Sequence, residues 1–264
     1  MIKKTILLIL FICLIGILIS LLINMYNNSP EVILEKINRQ LTINQKIKSN
    51  IKKENFFYSD KFFTFDVIYM NILKTAIAKL SLEKTNLDKN VLVLLKAILE
   101  PTDFIKKNYD AKIVISSNVL GQTGLPFEYN EIVTIPDKVT YKKIIFDQYQ
   151  HLAIRDGKKY KIPENTYEPL SVFFRFLAED YVIDSEIKFN IFTKEDIYEF
   201  RATPIEIKNG IYKIKGEVGR QRERSTLHNV QFTIWVKNDT IRVPLLIRCV
   251  SSAGIVYLRL REIQ

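Results

Sequence analysis

Histidine and cysteine are scarce, with two of each in 264 residues. Cys13 lies in an apolar run and Cys249 in a stretch of strand-like alternation, so there is no disulfide framework and no C-x-x-C pair. His151 and His228 are far apart and have no His, Cys or carboxylate at metal-ligand spacing, which leaves a zinc site without support. The chain has no G-x-S-x-G elbow and no glycine loop for a nucleotide. Gly121-Gln122-Thr123-Gly124 leads to Leu125-Pro126 rather than to a helix and reads as a turn. No catalytic, cofactor-binding or metal-binding set emerges, and the expectation is a non-enzyme without a cofactor. A long basic block, an aromatic platform motif, an internal repeat and a low-complexity tract are also missing, so nucleic acid is not an expected partner.

What is present begins with charge. The formal net charge is +10; Lys3 and Lys4 supply two of these charges and are the only charged side chains before Glu31, leaving +8 for residues 31–264. Two readings stand: attraction to anionic headgroups, or a scattered, solvated lysine surface. Thr5 to Ile23 is uncharged and apolar. At 1.5 Å per residue, roughly 20 helical residues cross a hydrocarbon layer of about 30 Å. A cleavable signal has a shorter apolar core, of about 7–15 residues, and small residues at its cut site. Asn24-Met25-Tyr26-Asn27 offers no such site, and Ile12 before Cys13 rules against a lipoprotein site. The expected organisation is a cytoplasmic tail (1–4), a transmembrane anchor or uncleaved signal (5–24), a juxtamembrane connector (25–59) and one β domain (60–264). Membrane lipid is thus an expected partner through the N-terminal helix. The cationic N-terminal flank places the domain outside the cytoplasm.

The connector carries a weak helical stripe of Val32, Ile33, Ile37, Leu41 and Ile47. From Phe62 onward, period-two alternation dominates. Phe63, Phe65, Val67 and Tyr69 share a face, as do Val230, Phe232, Ile234 and Val236, and Val256, Leu258 and Leu260. One apolar and one more polar face is the pattern of an antiparallel sheet packed on one side. Asp156-Gly157 and Asn209-Gly210 supply the positive φ of tight hairpins, and Lys237-Asn238-Asp239-Thr240 looks like a third turn; together they suggest a meander. Residues 72–100 fit helix and strand periods equally, with Asn86 to Asn90 placed for a hairpin. One helix is clear. Glu168-Pro169 opens it with proline at the first helical position, and Leu170, Phe173, Phe174 and Leu177 fall at i, i+3, i+4, i+7.

Two sets of candidate site residues follow. Phe173, Phe174 and Leu177 of the helix stripe, together with Trp235, would either pack the core or line an apolar groove. Trp235 stands on the strand face opposite Phe232 and Ile234. Arg220, Arg222 and Arg224 form the densest basic cluster; arginine forks suit phosphate or carboxylate, while the plainer reading is a charged hairpin loop or sheet edge. Pro244, lacking a ladder donor, belongs at a strand start, an edge or a bulge.

Several motifs resemble the exported bacterial proteins grouped as domain of unknown function 3108. Glu168-Pro169-Leu170-Ser171 is similar to that family's D-P-L-S helix start. Asn209-Gly210-Ile211-Tyr212 is similar to its glycine turn, and Ile234-Trp235-Val236-Lys237-Asn238-Asp239 to its tryptophan strand. Val243-Pro244-Leu245-Leu246-Ile247-Arg248 and Gly254-Ile255-Val256-Tyr257-Leu258 match its last two strands. The arginine that follows the family's helix start stands here at Arg175. The resemblance, over roughly residues 60–264, implies a curved, half-barrel-like antiparallel sheet wrapped on one helix, as in periplasmic lipoprotein-carrier folds, and implies strands for 72–100. It also implies a bacterial envelope location on the outer side of the cytoplasmic membrane. The functional expectation is a domain that binds an apolar ligand or lipid in envelope biogenesis; the alternative is a structural module that docks to envelope proteins and has no pocket.

Overall fold

The computed structural model describes residues 56–87, 90–220, 230–239 and 241–264. The apolar run, the connector up to residue 55, His228, Arg222 and Arg224 lie outside the described residues. Among the described residues, no helix is long and apolar enough to cross a membrane.

The chain is mainly β. After a 3-10 turn (Phe56–Tyr58) come β1 (Lys61–Tyr69), β2 (Leu73–Leu87), β3 (Asn90–Pro101), the short helix α1 (Asp103–Lys106), β4 (Lys112–Leu120), β5 (Pro126–Ile135), β6 (Lys138–Asp147), β7 (Leu152–Arg155) and β8 (Lys158–Lys161). The second half holds β9 (Thr166–Tyr167), helix α2 (Pro169–Leu177), β10 (Ile187–Thr193), β11 (Asp196–Lys208), β12 (Ile211–Arg220), β13 (Val230–Lys237), β14 (Pro244–Ser251) and β15 (Gly254–Ile263). Within 72–100, Leu73–Leu87 and Asn90–Pro101 are strands, paired antiparallel with Leu87 opposite Asn90, within the polar stretch where a hairpin is expected. The turns at Asp156-Gly157 and Asn209-Gly210 adopt positive φ at both residues. Pro244 opens its strand, and the β13–β14 register shifts beside it.

All the described strands join one sheet, in the order β8-β7-β6-β5-β4-β3-β2-β1-β15-β14-β13-β12-β11-β10-β9. It is two meanders joined through their outermost strands: the first and last strands of the domain pair with each other, antiparallel, with Val67 opposite Leu258. Among the described residues, only β9 with β10 pairs parallel. The inner face carries Phe65, Leu95, Phe200 and Phe232, all buried. α2 lies against this face and packs on β3, β4 and β10.

Side chains bring the sheet's two ends together. On β10, Phe189 points inward and packs beside Phe200, the rings tilted with centroids 5.9 Å apart. Phe192 has the opposite parity and meets Phe146 of β6 and Tyr160 of β8 at 6.2 and 5.5 Å. The inner face of β6–β8 therefore rests on the outer face of β10. A second small core, containing Tyr129, Ile144, Phe146, Ala153, Ile162 and Phe192, fills this overlap. Gln148 fastens it further, its Nε2 donating to the carbonyls of Thr166 (2.9 Å) and Pro126 (3.1 Å). The backbone ladder is open, and the roll is closed by this lap of side chains.

Candidate functional site

α2 determines what the interior can hold. Glu168 caps it, its carboxylate accepting the backbone N–H of Leu170 at 2.7 Å and of Ser171 at 2.6 Å, while the Ser171 hydroxyl accepts the Glu168 N–H at 3.1 Å. This reciprocal cap satisfies donors that a helix start otherwise leaves open. Glu168 is fully buried, and burial pushes its carboxyl above the ordinary range against the lowering effect of these bonds. Proline follows at the first helical position.

The helix stripe then enters the roll. Phe174, Phe176 and Leu177 have no solvent exposure. Phe176 reaches Phe200 at 5.3 Å, and Phe200 stacks on Phe232 at 5.0 Å. Phe173 is half-buried and packs against the same core. The space between helix and sheet, where a carrier would seat an apolar ligand, is occupied here by the protein's own aromatic rings. Trp235 is not beside the helix stripe: its cross-strand partners are Lys213 and Leu246, on the outer face. The four candidate groove residues thus divide between the two faces of the sheet.

Of the basic cluster, Arg220 is described. It ends β12 and its guanidinium pairs with the Asp196 carboxylate, across the strand pair that joins it to Tyr198.

A polar constellation that sequence reasoning missed sits beside the lap. The row that runs Phe63, Leu80, Ala97, Ile115 across the inner face ends in Glu131 and Lys142. Tyr129 donates its hydroxyl to Glu131 at 2.7 Å. Lys142 lies 3.5 Å from the same carboxylate and 5.2 Å from the Tyr129 ring centroid. Burial pushes the Lys142 amine below its ordinary value, partly offset by Glu131. Arg155 of β7 meets Glu195, in the β10–β11 turn, at 3.3 Å, so one ion pair spans the lap. These charges largely pair with one another, and the group reads as a polar seal on the second core. The only signal in the sequence was the pair of charges in otherwise alternating strands.

A surface hollow of about 370 Å³ lies on the outer face near the chain entry, lined by Phe62, Thr64, Lys79, Lys96, Glu83 and Glu262 among others. Its lysines and glutamates balance. Among the described residues, no group of three or more His, Cys, Asp or Glu could hold a metal. Burial pushes the Cys249 thiol up to about 11, which leaves little reactive thiolate at neutral pH.

No protein-family model matches the sequence, and no curated protein matches it. Among solved structures, the chain is similar to a β-barrel-like protein of domain of unknown function DUF1849 from Brucella abortus. The TM-score is 0.46 at 6% identity, covering 78% of this chain and 97% of that one.

Proposed function

We propose that this chain is a membrane-tethered, non-enzymatic docking module of the bacterial cell envelope, a relative of the domain of unknown function 3108 proteins, and that it holds no ligand in its interior. One observation carries the choice over an apolar-ligand carrier: Phe174, Phe176 and Leu177 fill the roll and are closed to solvent. A carrier site is a concavity of about 300–1,000 Å³ that buries most of its ligand, and the helix takes that place. The docking surface is on the outside. Ile98, Val114, Ile132 and Tyr141 form one cross-strand row on the outer face of β3–β6. Tyr141 is 73% exposed and neighbouring Val139 46%. Tyrosine on an apolar patch is a common interface residue.

The test pairs two measurements on the full chain in its own membrane. A photo-crosslinking residue at Tyr141 is expected to give a discrete protein adduct that Ile132→Asp abolishes. Native mass spectrometry of the purified chain is expected to show no co-purified acyl compound retained after delipidation. A bound lipid that Phe174→Trp displaces, with no adduct at Tyr141, would restore the carrier reading.

A further inference from the structure

The hollow on the outer face near the chain entry carries charges of both signs that leave one another unpaired. Two cross-strand rows form it. Glu262, Thr64 and Lys79 make one, and Phe62, Ser81 and Lys96 the other. Glu83 follows Ser81 on the same face of β2 and also lines it. The β1–β15 register shifts between Thr64 and Phe65, leaving Arg261 as an extra residue beside Glu262. A bulge of this kind bends its strand and re-aims side chains, and this one sits at the wall of the hollow.

Elsewhere on the outer face, unlike charges within reach do pair. Lys112 meets Glu100 at 2.6 Å, and Lys143 meets Glu128 at 2.9 Å. The hollow differs. Among the described residues, the half-buried Lys96 amine makes no ion pair. Glu83 and Glu262 each accept one bond on Oε1, from the Ser81 hydroxyl at 2.8 Å and the Gln264 amide at 2.7 Å, and neither meets a cation. Lys79 turns to Glu100, outside the hollow, at 3.5 Å, where Lys112 is the closer partner.

We propose that this hollow binds a small zwitterion: a primary ammonium joined by a short aliphatic linker to a phosphate or carboxylate, as in phosphoethanolamine or an amino acid. Lys79 and Lys96 take the oxyanion as charge-assisted donors. Glu83 and Glu262 take the ammonium through the carboxylate oxygens that their local bonds leave over. Phe62, 39% exposed, offers its ring to the linker or the ammonium. Glu262 on β15 and Lys96 on β3 stand three strands apart, about 14 Å at about 4.8 Å per strand, a gap that a molecule bearing both charges bridges. The volume of about 370 Å³ falls at the small end of ligand sites. The hollow adjoins the docking row at Ile98, and its chemistry is independent of whether a protein docks there.

The test uses the full chain in phosphatidylcholine nanodiscs, labelled at its isoleucine methyls and titrated with O-phosphoethanolamine and, separately, with glycine. With at least one of them the Ile98 methyl, which lines the hollow, is expected to shift saturably while Ile132 stays in place. Inorganic phosphate and ethanolamine, singly or mixed, are expected to do little at the same concentration. Lys96→Gln and Glu83→Gln are each expected to weaken binding about tenfold and, as surface changes, to leave the thermal midpoint nearly unmoved. Nanodiscs containing phosphatidylethanolamine assign the source. An Ile98 shift without added compound, lost in both variants, supports the site with a lipid headgroup as its occupant. A shift only with the free compound supports it with a soluble zwitterion. An Ile98 methyl that moves in none of these, an equal response to the separate halves, or variants that bind like the parent would overturn the proposal.

Discussion

At the residue scale, Glu168 concentrates two opposing demands in one side chain. It must accept two backbone N–H groups of α2, and it must do so fully buried. Desolvation disfavours the charged form and outweighs the bonds, so the folded value is raised. The sign follows from linkage. Between the ordinary carboxylate range and the raised folded value, the native state holds a proton that the unfolded chain has released. The contribution is therefore fully present below the ordinary range and is lost as pH rises toward the folded value. Urea unfolding from about pH 4 to about pH 8 is expected to show this slope. Glu168→Gln keeps a cap acceptor, removes the titration and flattens that part of the curve. Glu168→Ala is expected to cost about 1–3 kcal/mol across the range, because it leaves buried donors without a partner.

At the element scale, the joint between β11, β12 and β13 depends on a missing side chain. Gly216 faces Ala202 and Phe232 on its two neighbours. A Cβ there would stand 2.2 Å from the Arg201 carbonyl oxygen and 2.3 Å from the Phe232 ring. The ring lies over the glycine and from there stacks on Phe200, which touches Phe176 of α2. One absent methyl thus sets the seat of an aromatic chain linking sheet to helix. Gly216→Ala is expected to destabilise the domain by about 1–3 kcal/mol or more, as overpacking does, read as a lower thermal midpoint. Phe232→Leu in the same chain should recover part of the loss, since it removes the ring that clashes.

At the scale of the whole molecule, two long-range closures make the fold. β1 pairs with β15 across nearly the whole domain, and the lap of β6–β8 on β10 brings the far ends together. The first closure is a backbone ladder and the second is made of side chains. They should therefore fail differently. Phe192→Ala removes the ring that Phe146 and Tyr160 grip and is expected to cost about 3–5 kcal/mol. Its signature is local: faster amide exchange in β6–β8 and β10, with β13–β15 unchanged. Uniform exchange across all strands would show that the lap is not a separable unit.

The sequence by itself determined many of the elements of this protein, though not those of residues 72–100, whose spacing fits helix and strand alike. Alternation at Phe63–Tyr69 and Val230–Val236, the Asp-Gly and Asn-Gly turns and the Glu168-Pro169 helix start are local signals, because a side chain's face and a turn's φ depend on near neighbours. Phe174 and Leu177 were legible as an apolar stripe, but a stripe has the same spacing whether it meets a cavity or a filled wall. The opposite wall, Phe200 and Phe232, comes from strands tens of residues away. Phe56 and Phe57, read as connector, belong to the core for the same reason. The tertiary structure decided which strands pair, that the inner face of β6–β8 lies on the outer face of β10, that Glu131 and Lys142 seal this lap, and that Trp235 is buried on the far side of the sheet. Each of these depends on contacts distant in sequence, where a period of two or 3.6 carries no information.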